Sequence, residues 1–252
     1  MQLRVLGCSG GIGGVARTTS FLLGDRVLVD AGTGVGDLPL DALCGIDHVF
    51  LTHAHFDHIA CLPMLLDTVI GARRQPVTVH ALPETIATLQ VHVFNWQLWP
   101  DFSVIPDADN GVLRWAPIAV GESCDLDGLR MTALPAQHTV PALGYLFETA
   151  DGAMAFSGDS ADCPAFWGAL GRVERLRALI IETAFSNREA GLARVSQHYA
   201  PETLLPALAR IDPSVDVWLT HLKPLDASCI VAEARNGVHR IAALNGGQTL
   251  DF

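Results

Sequence analysis

The chain has 252 residues, with 16 basic and 27 acidic side chains and a formal net charge of −11 at pH 7. Half of the residues are hydrophobic, which excludes an intrinsically disordered protein, and no apolar run approaches the roughly 18 residues that a membrane-spanning helix needs. The acidic balance disfavours binding of nucleic acid through a basic face, but it is compatible with a small phosphate ester held by metal ions.

The N-terminal residues predict a first strand over Leu3–Leu6 that enters a glycine turn, and they do not resemble a secretory signal. Six scattered cysteines without a CxxC pair predict small buried side chains in a reducing compartment, so we expect a cytoplasmic protein. Because there is no linker, repeat or low-complexity segment, we expect a single domain over residues 1–252.

Short apolar runs follow along the chain, and several of them stop at or shortly before an Asp, His or Glu. Runs of this length predict buried strands, and strand exits in layered α/β folds meet at one edge of a sheet, so these polar residues predict one site. The runs are Val27–Val29 before Asp30, Ile46–Thr52 before His53, Leu129–Leu134 before His138, Ala153–Ser157 before Asp159, Ala178–Ile181 before Glu182, and Val215–Thr220 before His221.

Helices are predicted between some of these strands, over Asp57–Val69, Pro83–Val93 and Ala200–Arg210. The run Arg172–Arg177 alternates in charge and predicts a solvated helical face. The irregular segment Phe94–Trp115 carries several aromatic residues, which would either overhang the site or anchor a loop to the body of the protein.

The glycine-rich segment near the N-terminus has the pattern GxGxxA at Gly11, Gly13 and Ala16, which is also found in dinucleotide-binding folds. The residues after it, 17–23, predict a turn into a second strand and not the helix that dinucleotide binding requires. We therefore predict a tight loop near the site.

The densest local pattern is the sequence HAHFDH over residues 53–58, directly after a predicted strand. Imidazole nitrogens and carboxylate oxygens are suitable ligands for zinc and similar metals. In an extended segment His53 and His55 point the same way and can hold one ion, whereas Asp57 and His58 can turn towards a second. The remaining ligands must come from elsewhere, and His138, Asp159 and His221 are the candidates at strand exits. The other histidines, His48, His80, His92 and His239, show no such pattern and are expected to be ordinary surface or core residues.

HxHxDH followed by a distant His, Asp and His resembles the metallo-β-lactamase superfamily, which implies an α/β fold, a four-layer αββα sandwich, with a dinuclear metal site. The resemblance implies that His53, His55 and His138 bind one metal, that Asp57, His58 and His221 bind the other, and that Asp159 bridges them. Asp30 matches an early Asp of the superfamily and would orient a ligand loop. Two divalent ions are expected, with Zn²⁺ the first choice and Mn²⁺ or Fe as alternatives.

Longer motifs are similar to those of the class II cyclic-nucleotide phosphodiesterases, namely LTHAHFDHIA, PAQHTVPALGY, FSGDS, IETAFSN, VSQHYAP and LTHLKP. Ribonuclease Z shares parts of them. Phe56 and the sequence QHYAP depart from the phosphodiesterase pattern, which concerns the substrate and leaves the metal ligands intact.

This resemblance implies hydrolysis of 3′,5′-cyclic AMP or GMP to the 5′-nucleotide by a metal-bridging hydroxide. The catalytic residues are then Asp57 and the pair Glu182 and His198, in which His198 protonates the leaving 3′-oxygen and Glu182 orients it and keeps it charged. The expected partner is a small nucleotide, with no nucleic acid and no membrane.

Three other functions remain open from the sequence: a ribonuclease Z-like RNA 3′-processing nuclease, an acyl or thioester hydrolase, and a non-catalytic metal-binding module. In the acyl or thioester hydrolase the Glu182 and His198 pair would have no clear task. The sequence leaves the oligomeric state open, a homodimer being the commonest state of soluble oligomers.

Overall fold

The computed structural model describes residues 1–235 and 237–252. Its strands in this part of the chain are β1 (Gln2–Gly7), β2 (Ser20–Leu23), β3 (Val27–Val29), β4 (His48–Phe50), β5 (Val77–Ala81), β6 (Leu113–Pro117), β7 (Ser123–Leu126), β8 (Leu129–Pro135), β9 (Leu143–Glu148), β10 (Ala153–Phe156), β11 (Leu176–Glu182), β12 (Asp216–Thr220), β13 (Ile241–Ala243) and β14 (Thr249–Asp251). The α-helices are α1 (Leu40–Gly45), α2 (Phe56–Ile59), α3 (Leu62–Val69), α4 (Pro83–His92), α5 (Pro164–Leu170), α6 (Ala190–Ser196), α7 (Pro201–Leu208) and α8 (Ala227–Ala234).

The strands form two mixed sheets, one with the order β14-β1-β2-β3-β4-β5-β6 and the other with the order β13-β12-β11-β10-β9-β8-β7. Each sheet is antiparallel in one half and parallel in the other: β3 to β6 pair in parallel in the first sheet, and β10 to β13 do so in the second. The parallel halves place several strand exits at one edge of each sheet, and this edge holds the polar residues described below.

Three apolar clusters account for the layers. The cluster between the two sheets includes Phe21 and Phe156, whose rings meet edge to face at 5.0 Å. A second cluster joins the outer face of the first sheet to α3 and α4, and a third joins the outer face of the second sheet to α5, α7 and α8. Because an amphipathic helix and a sheet face must each bury apolar surface, this arrangement gives the predicted αββα sandwich, which is confirmed.

The predicted strands are all present, with bounds that differ by a few residues; the Ile46–Thr52 run is the most shortened, to three paired residues in β4. The single helix predicted over Asp57–Val69 is wrong, because the chain forms α2 and α3 with a break between them. At the break the amide of Cys61 donates to the carbonyl of Ala31 at 2.8 Å. Pro63 follows in the first turn of α3 and has no N–H to continue the helix from α2.

The helical face predicted over Arg172–Arg177 is also wrong. This segment is a turn that runs into β11, which pairs in parallel with β10. The carbonyl of Arg175 already accepts a hydrogen bond from the amide of Ala153 at 3.0 Å. The alternating charges therefore reflect exposure at the start of a strand and not a helix period.

The glycine-rich loop after β1 leads into β2 without a helix, as predicted. Gly7 is required by close packing, since a Cβ atom there would lie 2.0 Å from the carbonyl oxygen of Thr18. In the later aromatic segment, Phe94 and Phe102 are buried in the outer cluster of the first sheet, whereas Trp96 is exposed. In the described part of the chain, no helix combines the length and the apolar character needed to cross a membrane.

Candidate metal centre

Loops from both sheets meet at one edge of the sandwich and bring together the residues predicted to bind metal. His53, His55, Asp57 and His58 follow β4 of the first sheet, and His138, Asp159 and His221 follow β8, β10 and β12 of the second. Except for His55 and Asp57, which are half-buried, these side chains are buried. The site is thus assembled from distant segments.

One cluster consists of His53, His55 and His138, each of which offers a nitrogen within 4.8 Å of the others. The Nε2 atom of His138 lies 3.2 Å from Nδ1 of His55. A second cluster consists of Asp57, His58 and His221, with Oδ2 of Asp57 at 4.0 Å from Nε2 of His58 and 3.7 Å from Nε2 of His221.

Asp159 lies between the two clusters. Its Oδ2 atom is 3.3 Å from Nε2 of His58 and 3.8 Å from Nε2 of His53, and its Oδ1 atom is 3.4 Å from Nδ1 of His221. It therefore lies near a member of each cluster, and its carboxylate could contribute an oxygen to an ion in either one. The structure thus brings the seven residues together at this edge, and the groups His53, His58, Asp159 and His138, Asp159, His198 could hold an ion as well.

Several polar atoms of this site are buried and make no hydrogen bond within the described residues: Nε2 of His53, Nε2 of His58 and Oδ1 of Asp159. Burying such atoms without partners is costly, so native proteins rarely leave them unpaired. A divalent cation between these nitrogens and oxygens would satisfy them, and imidazole with carboxylate is a donor set that suits Zn²⁺.

The pKa values of the histidines agree with this use. Burial lowers the pKa of His138 and of His221 to about 4, and it lowers that of His53 well below its usual value. At pH 7 these rings are neutral and present a lone pair. His58 differs, because the carboxylates of Asp159 and Asp30 outweigh the effect of burial and raise its pKa well above the usual value. A cation bound there would have to displace a proton.

Asp30 contacts one of the proposed metal ligands, His58, and fixes its ring. Its carboxylate is fully buried, accepts hydrogen bonds from the amide and hydroxyl of Thr52, and lies 2.7 Å from Nδ1 of His58. This contact fixes the ring of His58 with Nε2 directed into the site. Both Asp30 and His221 have positive φ angles, of 55° and 61°, which non-glycine residues adopt only where the surroundings enforce them.

Other supporting groups were not predicted from the sequence. The hydroxyl of Thr52 lies 2.9 Å from Nδ1 of His53, and that of Thr19 lies 3.4 Å from Nδ1 of His221. The backbone carbonyl of Gln197 lies 3.2 Å from Nδ1 of His138. Thr52 could have been found from its position directly before His53, but a carbonyl carries no signal in the sequence.

Fully buried Glu182 and half-buried His198 lie beside the clusters and form a pair, with Nδ1 of His198 at 2.9 Å from Oε1 of Glu182. Glu182 ends β11, and its carboxylate also accepts hydrogen bonds from three backbone amides. Burial alone would lower the pKa of His198, but the charge and hydrogen bond of Glu182 outweigh it and raise that pKa. The ring of His198 stacks on that of His221 with centroids 5.4 Å apart, so this imidazole lies against the proposed metal ligands.

His48 and His80 lie outside the metal clusters, as expected, but the sequence does not show that they contact each other. Nδ1 of His48 lies 3.0 Å from Nε2 of His80, and the ring of His80 stacks on Phe50 with centroids 4.2 Å apart. The two histidines lie on neighbouring strands, β4 and β5. His80 pairs with Phe50, and His48 is two residues before Phe50, so both histidine side chains are on the same face. His92 is exposed, and Nε2 of buried His239 contacts the carbonyl of Leu208 at 3.0 Å.

The family model of the beta-lactamase superfamily domain matches residues 25–222. The chain belongs to the beta-lactamase superfamily. This match confirms the resemblance, and the chain is a metallo-hydrolase of this superfamily. Members of the family generally bind two divalent metals, and the described residues include His and Asp clusters that could do so.

Curated relatives point to two kinds of phosphodiester chemistry. A ribonuclease Z of Halorubrum lacusprofundi is 33% identical over 163 residues, which are 60% of this chain and 49% of that protein. A probable 3′,5′-cyclic-nucleotide phosphodiesterase of Yersinia pestis is 26% identical over 204 residues, 71% of this chain and 57% of that protein. The chain thus spans about half the length of the curated relatives it matches.

Solved structures share the fold over the whole chain. Unliganded yeast PDE1 superposes with a TM-score of 0.81 at 18% identity, covering 100% of this chain and 99% of that one. The short form of human tRNase Z superposes with a TM-score of 0.72 at 16% identity, with coverage of 100% and 99%. At such identities the likeness concerns the fold alone.

Proposed function

We propose that this protein is a metal-dependent phosphodiesterase that hydrolyses 3′,5′-cyclic nucleotides to 5′-nucleotides. The observation that carries the proposal is the hydrogen-bonded Glu182–His198 pair beside two clusters of side chains that could bind metal. Two divalent ions, held by the seven residues named above, would activate a water and neutralise charge on the phosphoryl oxygens.

The protein's own contribution is the proton for the leaving group. Water adds to phosphorus and releases a proton to solvent, the bond between phosphorus and the 3′-oxygen breaks, and the departing oxygen takes the proton held by His198. Solvent then returns a proton to His198. Glu182 keeps that imidazole charged and correctly turned through the 2.9 Å contact at Nδ1, which leaves Nε2 as the donor. Asp57 takes part as a proposed metal ligand. It is the half-buried member of the second cluster.

A small cyclic substrate is supported by two further observations. The Yersinia pestis relative is named a probable cyclic-nucleotide phosphodiesterase, and it matches a larger share of this chain than the ribonuclease Z does. The net charge of −11 opposes the binding of a long polyanion, whose affinity depends on many phosphate contacts with basic side chains.

A ribonuclease Z-like nuclease is the second candidate, because the Halorubrum lacusprofundi relative has the higher identity and carries that name. The Glu182–His198 pair would serve a ribose leaving group in RNA in the same way. The two candidates differ in substrate and not in the chemistry of the site.

The test is an assay of the purified protein loaded with Zn²⁺. We expect 3′,5′-cyclic AMP and GMP to be converted to 5′-nucleotides, resolved by chromatography from 3′-nucleotides, and the activity to disappear with chelator and return with added metal. Precursor tRNA with a 3′ trailer is assayed in parallel. Cleavage of the trailer without turnover of cyclic nucleotides would establish the second candidate in place of the first.

A further inference from the structure

Lys223 is the single lysine of the chain, since every other basic residue is an arginine. It lies two residues after the proposed metal ligand His221, in the loop that follows β12. Its side chain is partly buried, and its amide donates to the carbonyl of Ala184 at 3.1 Å. The position is thus fixed by the backbone next to the metal centre.

The ammonium group of Lys223 lies between two residues that contact site histidines. On one side its Nζ atom donates to the carbonyl of Gly10 at 2.7 Å. Gly10 packs against His221 so closely that a Cβ atom there would lie 2.3 Å from the His221 carbonyl oxygen. On the other side Nζ lies 6.0 Å from the ring centroid of Phe185, and that ring lies 5.7 Å from the ring of His198.

The charge of Lys223 is not neutralised by these contacts. A backbone carbonyl and an aromatic ring attract an ammonium group but carry no net charge, and within the described residues Nζ forms no ion pair. In contrast, two arginines of the adjoining segments form ion pairs, Arg17 with Asp37 and Arg188 with Asp226.

The ammonium is within electrostatic reach of the proposed acid. The pKa of His198 is lowered by burial, raised by Glu182 and Asp159, and lowered again by the charge of Lys223. Nζ of Lys223 lies 6.0 Å and the ring of His198 lies 5.7 Å from the ring centroid of Phe185, so an anion beside this ring is attracted by the ammonium group.

We propose that Lys223 binds the anionic group of the substrate and thereby selects phosphate esters over neutral esters. This inference rests on the proposed function and extends it to a specificity residue. An ammonium group has three donors on a flexible stem, so one can remain on Gly10 while others reach a phosphoryl oxygen. Charge-assisted hydrogen bonds of this kind are among the stronger ones in proteins.

The uniqueness of Lys223 gives a direct test. An amine-reactive ester modifies only Lys223 and the α-amino group of Met1, and peptide mass spectrometry separates the two. With the Zn²⁺-loaded protein we expect inorganic phosphate and 5′-AMP to slow modification of Lys223 at least fivefold, whereas neutral adenosine leaves it unchanged. The α-amino group serves as the reference within each sample. Equal modification of Lys223 with and without saturating phosphate would overturn the proposal.

A variant tests the same point by kinetics. Lys223→Met keeps the length and packing of the stem and removes the charge, so we expect KM for bis(4-nitrophenyl) phosphate to rise about tenfold with kcat within about threefold. Lys223→Arg should recover most of the loss. Arg240→Met is the control, since it changes the net charge equally at the opposite end of β12, where Arg240 pairs with Asp216. An unchanged KM in Lys223→Met, or an equal rise in Arg240→Met, would contradict a role in anion binding.

These experiments separate the two proposals. If cyclic nucleotides are not hydrolysed but phosphate still protects Lys223, the proposed substrate is wrong and the anion-binding role stands. If cyclic nucleotides are hydrolysed while phosphate leaves Lys223 unprotected, the proposed function stands and the role of Lys223 is wrong.

Discussion

The proposed function depends most on the polar side chains of two residues, Glu182 and His198. Glu182 is fully buried at the end of β11, yet within residues 1–235 and 237–252 it contacts four hydrogen-bond donors, three backbone amides and the side chain of His198. Burying a carboxylate is costly unless it is paired and hydrogen-bonded, and these donors satisfy Glu182 in the position where it contacts His198. From this pair we predict that His198 donates a proton to the leaving group of the substrate.

For His198→Ala we expect a loss of about 10²–10⁴ in kcat with 3′,5′-cyclic AMP, the size usually found when a general acid is removed. With bis(4-nitrophenyl) phosphate the loss should be below about tenfold, because 4-nitrophenolate leaves without protonation. Steady-state kinetics and metal content are measured for both substrates. His92→Ala, on the exposed end of α4, is the matched control. Equal losses with both substrates would indicate a structural role for His198.

At the level of strands and helices, the sequence pattern predicts where the site lies because strand exits end in polar residues. It does not predict the break between α2 and α3, which depends on the hydrogen bond between Cys61 and Ala31, two residues far apart in the chain. It also does not predict that His48 and His80 meet, since the pairing of β4 with β5 is set by tertiary register. Contacts between residues on different elements cannot be predicted from one apolar run at a time.

The His48–His80 pair predicts a pH-dependent stability. Burial, and then the charge of His48, lower the pKa of His80 to about 4, whereas the unfolded chain has the ordinary value near 6.5. The native state therefore binds fewer protons between these values, and stability that is complete above pH 6.5 is lost as the pH falls towards 4. The loss from this group is at most about 3 kcal/mol.

Chemical denaturation of the metal-free protein at pH 7.5 and pH 5.0 measures this effect. In His80→Gln the side chain no longer titrates, so the free energy of unfolding should fall less on acidification than in the unchanged protein, by about 1–2 kcal/mol. His92→Gln, at an exposed position, should behave like the unchanged protein. The same fall in His80→Gln as in the unchanged protein would refute the assignment.

At the scale of the whole molecule, the proposed metal ligands belong to both halves of the sandwich. The loop after β4 and the helix α2 that follows it supply four of them from the first sheet, and the loops after β8, β10 and β12 supply three from the second. Bound cations would therefore connect the two sheets at the edge where their loops meet. This division follows from the topology, since the sequence shows the ligands but not the sheet to which each one belongs.

Because the ions bind the folded chain and not the unfolded one, their removal should lower its stability. At a free metal concentration about 1,000 times the dissociation constant, each site would contribute about 4 kcal/mol, and for a chain of this size about 1 kcal/mol corresponds to about 2–4 °C in Tm. Dialysis against chelator should thus lower Tm by about 10 °C or more, and added Zn²⁺ should restore it. Calorimetry of the unchanged protein and of His53→Ala distinguishes metal binding from a general effect of the chelator. In the variant the shift should shrink, because His53 contributes to the cluster with His55 and His138. A chelator shift of the same size in His53→Ala would mean that the stabilising ion binds elsewhere.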